Sequence, residues 1–265
     1  MARAPTSPAA PLGVTDPRRP VAIALLLSLL VWNLPLGALV MYPFKLLATW
    51  LHESSHAVLM LLTGAGVERI EIFADGSGLA FPVEGVNAAG AAAIAAAGYM
   101  GTPLLGVGLL VAARDGRRAR WLLAGLGLAL LVSALALVGN GFGQTAMAAT
   151  GAGLLVVPWL VPAAWARFLA LLVAAQSCLN ALLDIRVLFR PSLVVDGAVV
   201  AASDAHAMAR ATLGVDDVWA VWSWAALWLG WSLVLLFVAF SLALGPAAPA
   251  RPGRRSAPAA PAPAR

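Results

Sequence analysis

Seven apolar stretches, at about 21–41, 44–64, 88–112, 121–139, 147–163, 167–189 and 217–244, dominate the chain, each marked off by Pro, Gly or Arg. Crossing a bilayer takes roughly 20 apolar residues in a helix, because lipid offers no partner to an exposed backbone group and each span must satisfy its own. The stretches therefore predict an all-α polytopic membrane protein with six or seven transmembrane helices. The fifth stretch is the shortest and holds Pro158 and Pro162 near its end, so it reads as a broken or tilted helix. Composition agrees: 62% of residues are hydrophobic, 11% are charged and the mean hydropathy is +0.89, a balance that excludes an ordinary soluble domain. A multi-pass protein of the cell membrane, with the lipid bilayer as its first partner, is expected.

The net charge of +5 comes from arginines in the tails and in RDGRRAR at 114–120. No aromatic residues interleave them as single-stranded nucleic acid would need, so no nucleic-acid partner is expected, and the arginines read as anchors to anionic headgroups. They do not set orientation, because RDGRRAR and the C-terminal tail favour one topology while Arg18 and Arg19 favour its inverse. Residues 1–20 and 246–265 are Pro/Ala-rich tails with too few large apolar residues to fold, which leaves 21–245 as one membrane domain. The lone Cys178 permits no intrachain disulfide and reads as apolar filler.

Two connections have local structure written into them. In GVERIEIFADGSGLAFPV, 66–83, residues alternate across DGSG, which predicts a short β-hairpin after the second helix. In SDAHAMARATLG, Ser203 is a helix N-cap and Gly214 a stop, predicting a short surface helix that carries His206 as a surface residue. GNGFGQ, 139–144, reads as a loop, and the ten tryptophans read as interfacial anchors or lipid-facing bulk.

The chemistry is concentrated in HESSH, 52–56, inside the second apolar stretch. Residues four apart share a helix face, so His52 and His56 can present imidazole nitrogens to one metal ion while Glu53 borders that face as a general base. A charged group at mid-bilayer costs about 2.5–3.5 kcal/mol on insertion scales, so ionisable residues there are rare and functional. With one Cys and three His in the chain, a closed all-Cys/His site would need both Cys178 and His206. An acid as third ligand, leaving one position open, is the simpler solution and the catalytic one.

Two acids compete for that place. In FLALLVAAQSCLNALLDIRVLF, 168–189, Gln176, Asn180 and Asp184 form a polar stripe at i, i+4 and i+8. Three helices separate this one from the HESSH helix, so the two run parallel if all span, and Asp184 can reach the depth of the histidines. Asp204 is the other candidate, although an acid in a helix's first turn is also favoured by the helix dipole alone. Gly98, Tyr99 and Gly101 are further candidates to line the site, Gln176 and Asn180 to line a water path, and the hairpin to add a strand to an extended substrate.

LHESSHAVLMLLTGAGVERIEIFADGSG followed by AAAGYMGTPLLG, 95–106, resembles the M50B-type branch of the site-2-protease-like intramembrane zinc metallopeptidases. NALLDIRVLF and the SDA of 203–205 are similar to later segments of that branch, so the resemblance covers roughly residues 45–240. It implies a membrane-embedded zinc protease fold, His52 and His56 as ligands, Glu53 as base and an aspartate on a later helix as third ligand. Ser55 stands where the branch usually has Gly, and the Leu-Asp-Gly of better-known members is reduced to Leu183-Asp184 followed by Ile185.

The reading is an intramembrane zinc metalloprotease acting on a membrane-protein or membrane-associated peptide substrate, with Zn2+ held by His52, His56 and Asp184 and with Glu53 as base. Its rivals are a membrane metal-binding protein, a metal transporter, which would spread its acids and histidines in depth, and a protease-like scaffold, which would have no need of Glu53.

Overall fold

The computed structural model describes residues 18–114, 116–189, 193–200 and 202–244. Of the expected tails, residues 1–17 and the whole of 246–265 lie outside the described residues, whereas Arg18–Pro20, expected in the first tail, open the first helix. The elements run α1 (Arg18–Trp32), α2 (Gly37–Thr63), β1 (Val67–Ile72), β2 (Gly78–Pro82), α3 (Ala88–Ala113), α4 (Gly116–Ala136), α5 (Gly141–Leu160), α6 (Ala163–Ile185), a 3-10 turn (Arg186–Phe189), β3 (Leu193–Val195), β4 (Ala198–Val200), α7 (Asp204–Leu213) and α8 (Val218–Leu244).

Four helices among the described residues are long and apolar enough to cross a membrane: α3, most of α4, α6 with its 3-10 extension, and α8. The number rises to five if Leu26–Trp32 and Gly37–Thr63, bent by 119°, form one broken span. This is fewer than the six or seven expected, for two reasons. The first two stretches are the arms of that bent pair, and the polar and small residues of GFGQTAMAATGAG keep α5 out of the apolar set.

The bend is held from α6. Trp32 Nε1–H donates to Gln176 Oε1 at 3.2 Å, the Gln176 amide reaches Met41 Sδ at 3.1 Å, and Asn180 Nδ2 reaches the Phe44 carbonyl at 3.5 Å, beside Pro43 inside α2. Gln176 and Asn180 are 1% and 2% exposed. These two amides of the α6 stripe are therefore engaged in helix packing, since buried amides in lipid must find partners.

α3 packs against α2, α6, α7 and α8. Its AAGAAAIAAAGYMG sequence has few large side chains, which lets four helices approach closely. The α2–α3 seam is tight enough that a Cβ at Gly101 would lie 2.5 Å from Ser55 Oγ. Small residues on both helices are thus one constraint: Ser55 is tolerated in HESSH because Gly101 faces it.

The hairpin forms as the alternation predicts, β1 and β2 pairing antiparallel from Val67↔Pro82 to Ile72↔Gly78 with an irregularity between Val67 and Arg69. Ile70 and Ile72 are fully buried. On the other face the Arg69 guanidinium lies 3.9 Å over the Phe81 ring, and its Nε donates to Glu71 at 2.8 Å.

GNGFGQ is not a loop. Gly141 begins α5, and the segment before it docks on the outer edge of β1: Ile70 N–H donates to Leu137 O at 2.7 Å and Gly139 N–H to Ile70 O at 2.8 Å. The Asn140 side chain continues the ladder, accepting from Ile72 N–H at 3.1 Å and donating to Ile72 O at 2.6 Å. Side-chain amide pairing replaces the water that a loop would have used.

The surface helix α7 runs as expected from Ser203 to a left-handed Gly214 at φ 71°. A second hairpin, β3–β4, was not anticipated. Its Asp196-Gly197 tip has φ 49° and 74°, the pair of positive angles that a two-residue Asp-Gly hairpin turn demands.

Candidate metal centre

α2 carries His52, Glu53 and His56 and ends at Gly64, whose left-handed φ of 83° lets its N–H close on the last carbonyls. His56 Nδ1 lies 2.7 Å from the Ile94 carbonyl on α3. Only an N–H can serve that contact, so the hydrogen bond leaves the Nε2 lone pair of His56 facing the site.

The third donor is Asp204. Its Oδ2 lies 3.3 Å from His52 Nε2 and 3.4 Å from His56 Nε2, and the donor atoms of the three residues all fall within 4.8 Å of one another. Burial alone would raise the Asp204 carboxyl, but the adjacent His56 and His52 hold it below the usual carboxylate range. Asp184, expected as third ligand, stands outside this group. It lines the same cavity, near enough to His52 and Lys45 to interact electrostatically, and its carboxylate makes no hydrogen bond among the described residues. The reason is one of placement: Asp184 sits at the end of α6 on the cavity wall, whereas α7 packs across α3 and delivers its first residue to the histidines.

Glu53 is 5% exposed and borders the donor group in a half-open cavity of about 710 Å³. Tyr99 also lines the cavity, its ring edge-on to His52 at 4.7 Å and stacked on Trp228 at 5.0 Å. Trp228, 2% exposed, backs Tyr99 from within the core and is an exception to the reading of the tryptophans as anchors or lipid-facing bulk. Gln176 and Asn180, expected along a water path, are not among the cavity residues.

Glycines clear the space around the reactive groups. A Cβ at Gly98 would collide with both His52 Nε2 and His56 Nε2, and one at Gly78 would lie 2.8 Å from Glu53 Cγ. The donor set and the cleared volume beside both nitrogens fit a small divalent cation. Two imidazoles and a carboxylate are a ligand set that zinc favours, with one position left open.

The hairpin reaches the cavity because α2 holds its turn. Tyr42 Oη donates to Ala74 O at 2.6 Å, Lys45 Nζ to Asp75 O at 2.5 Å and Thr49 Oγ1 to Gly76 O at 2.8 Å. These anchors precede His52 and His56 at steps of three and four residues, so one face of α2 carries all five side chains. The spacing of that stripe is present in MYPFKLLATWLHESSH, 41–56, and Lys45 and Thr49 line the cavity together with the histidines.

A polytopic helical protein with two histidines and an aspartate gathered around one point, and a glutamate beside them, has the build of a membrane metallopeptidase. The family model described as Peptidase M50B-like matches residues 21–239, and the chain belongs to that family. No match was found among curated proteins or among solved structures.

Proposed function

We propose that this protein is an intramembrane zinc metalloprotease in which His52, His56 and Asp204 hold the ion and Glu53 is the general base. The observation that carries the reading is the meeting of Asp204 Oδ2 with both Nε2 atoms at 3.3 and 3.4 Å, directly beside Glu53. Zinc, when bound, supplies Lewis-acid polarisation of the scissile carbonyl and a more acidic water. Glu53 Oε takes a proton from the attacking water and returns it to the leaving amine, and its buried setting strengthens its electrostatic coupling to the site. Tyr99 packs edge-on against His52 and limits how that ring can rotate.

The substrate is a membrane protein or membrane-associated peptide with an unwound segment, because a peptide bond inside a spanning helix is screened by its own hydrogen bonding. β1 is paired on both edges, by β2 and by the Leu137–Gly139 segment, which leaves the outer edge of β2 for such a segment. Gly78, Leu79 and Ala80 of β2 line the cavity, so a strand added there would lie across the site. The test is cleavage of a transmembrane reporter by protein in proteoliposomes. Zinc-loaded wild type cleaves it, and Glu53→Gln retains zinc without cleaving. Cleavage by Glu53→Gln at the wild-type rate would refute the assignment.

A further inference from the structure

We infer that His206 is a positioning residue, fixing the third ligand by closing the N-terminal cap of α7. The inference rests on the ligand set proposed above. Asp204 is the first residue of α7, so the direction of its carboxylate depends on where that helix begins and on how firmly its first turn is held. First turns fray, because their N–H groups have no partner in the helix. Here the Ser203 N–H donates to His206 Nδ1 at 3.2 Å, and Ser203 Oγ lies 2.9 Å from the same nitrogen. His206 thereby occupies the place three residues after the cap where Glu or Gln usually reaches back to the cap residue.

The geometry assigns the imidazole this task and no other. Its Nδ1 is turned to Ser203, and His206 is not a member of the donor group. The rest of α7 is fixed independently. Ala205 and Ala209 are fully buried, Met208 packs in the cluster that holds Tyr99 and Trp228, and Arg210 pairs with Asp216 near the C-terminal end. The helix body is anchored, and only its first turn, the one bearing the ligand, relies on His206. A carboxylate that must sit within a few tenths of an ångström of one position to bind a metal is sensitive to that turn in a way that the fold is not.

The experiment uses the full-length protein in detergent, with zinc dissociation constants from chelator competition for wild type, His206→Leu and His206→Gln. His206→Leu removes the acceptor and is expected to weaken zinc about 10–100-fold, the usual cost of losing support behind a ligand. His206→Gln restores an acceptor at the reach that capping boxes use and should return to within several-fold of wild type. Amide hydrogen exchange of the metal-free proteins supplies a second readout: His206→Leu raises exchange at the start of α7 and leaves its second half protected.

Zinc affinity within twofold of wild type in His206→Leu overturns the inference, and so does a His206→Gln variant as weak as His206→Leu. Should His206→Leu fail to fold, His206→Glu, which keeps an acceptor, and His206→Arg, which has none, replace it, and equal zinc affinity in those two overturns the inference. A wild type that takes up no zinc removes the metal reading and this inference together. A wild type that binds zinc while the variants do not differ removes this inference alone.

Discussion

Removing the Asp204 carboxylate should empty the site, and removing that of Asp184 should not. Ligands about 2.0–2.1 Å from a tetrahedral zinc lie about 3.3 Å from one another. Asp204 Oδ2 already stands 3.3 and 3.4 Å from the two imidazole nitrogens, so the carboxylate needs almost no movement to complete two edges of that tetrahedron. Groups that only support a ligand contribute about 10–100-fold in affinity. A direct anionic ligand must exceed that, so Asp204→Ala is expected to lose at least about 100-fold, or about 2.7 kcal/mol. Asp184→Ala, which deletes only a charge near His52, should lose about tenfold or less. Elemental analysis after exhaustive dialysis, with chelator competition, separates the two: near one zinc per chain in wild type and Asp184→Ala, and little in Asp204→Ala. Zinc retained by Asp204→Ala and lost from Asp184→Ala would refute the assignment and the geometric reasoning behind it.

Gly98→Ala places a methyl group against both Nε2 atoms and should abolish zinc binding while the helices remain folded, which circular dichroism and zinc content would show together. Gln176→Leu leaves Trp32 Nε1 without its acceptor and should cost about 1 kcal/mol of stability without changing zinc affinity, a pairing that a water-path role would reverse. Acidification should release zinc, because protons compete with the metal for the imidazole lone pairs, so zinc retention at pH 5 equal to that at pH 8 would exclude histidine ligation.

The parts of the fold that sequence exposes are those with a local cause. Apolar length marks the spans, alternation about DGSG marks the hairpin, and Ser203 with Gly214 marks α7. What escapes it depends on contacts made at a distance. Asn140 reads as a loop residue until its amide is seen pairing with Ile72, and Gln176 reads as path-lining until Trp32 and Met41 are seen around it. The same limit applies to the acid that joins the histidines. Asp184 had the better depth argument, but depth in a bundle says nothing about which helix end crosses over the histidines, and α7 does so only because Ala205 and Ala209 let it lie flat on its neighbours.

The stripe along α2 links the metal centre to the cavity mouth more tightly than either feature alone implies. Tyr42, Lys45 and Thr49 hold the backbone carbonyls of residues 74–76, and His52 and His56 follow on the same face. Rotation of α2 to retune the histidines would drag the hairpin turn with it, and the turn cannot lift without breaking three hydrogen bonds to that helix. The hairpin is therefore a fixed wall of the site. The β3–β4 hairpin between α6 and α7 meets the same turn, its Asp196 N–H donating to Ser77 Oγ at 3.3 Å and reaching the Asp75 carboxylate as well. The edge of β2 proposed to receive substrate is therefore held against the donor group by α2 itself, and loosening any of the three anchors should disturb substrate placement before it disturbs the histidines.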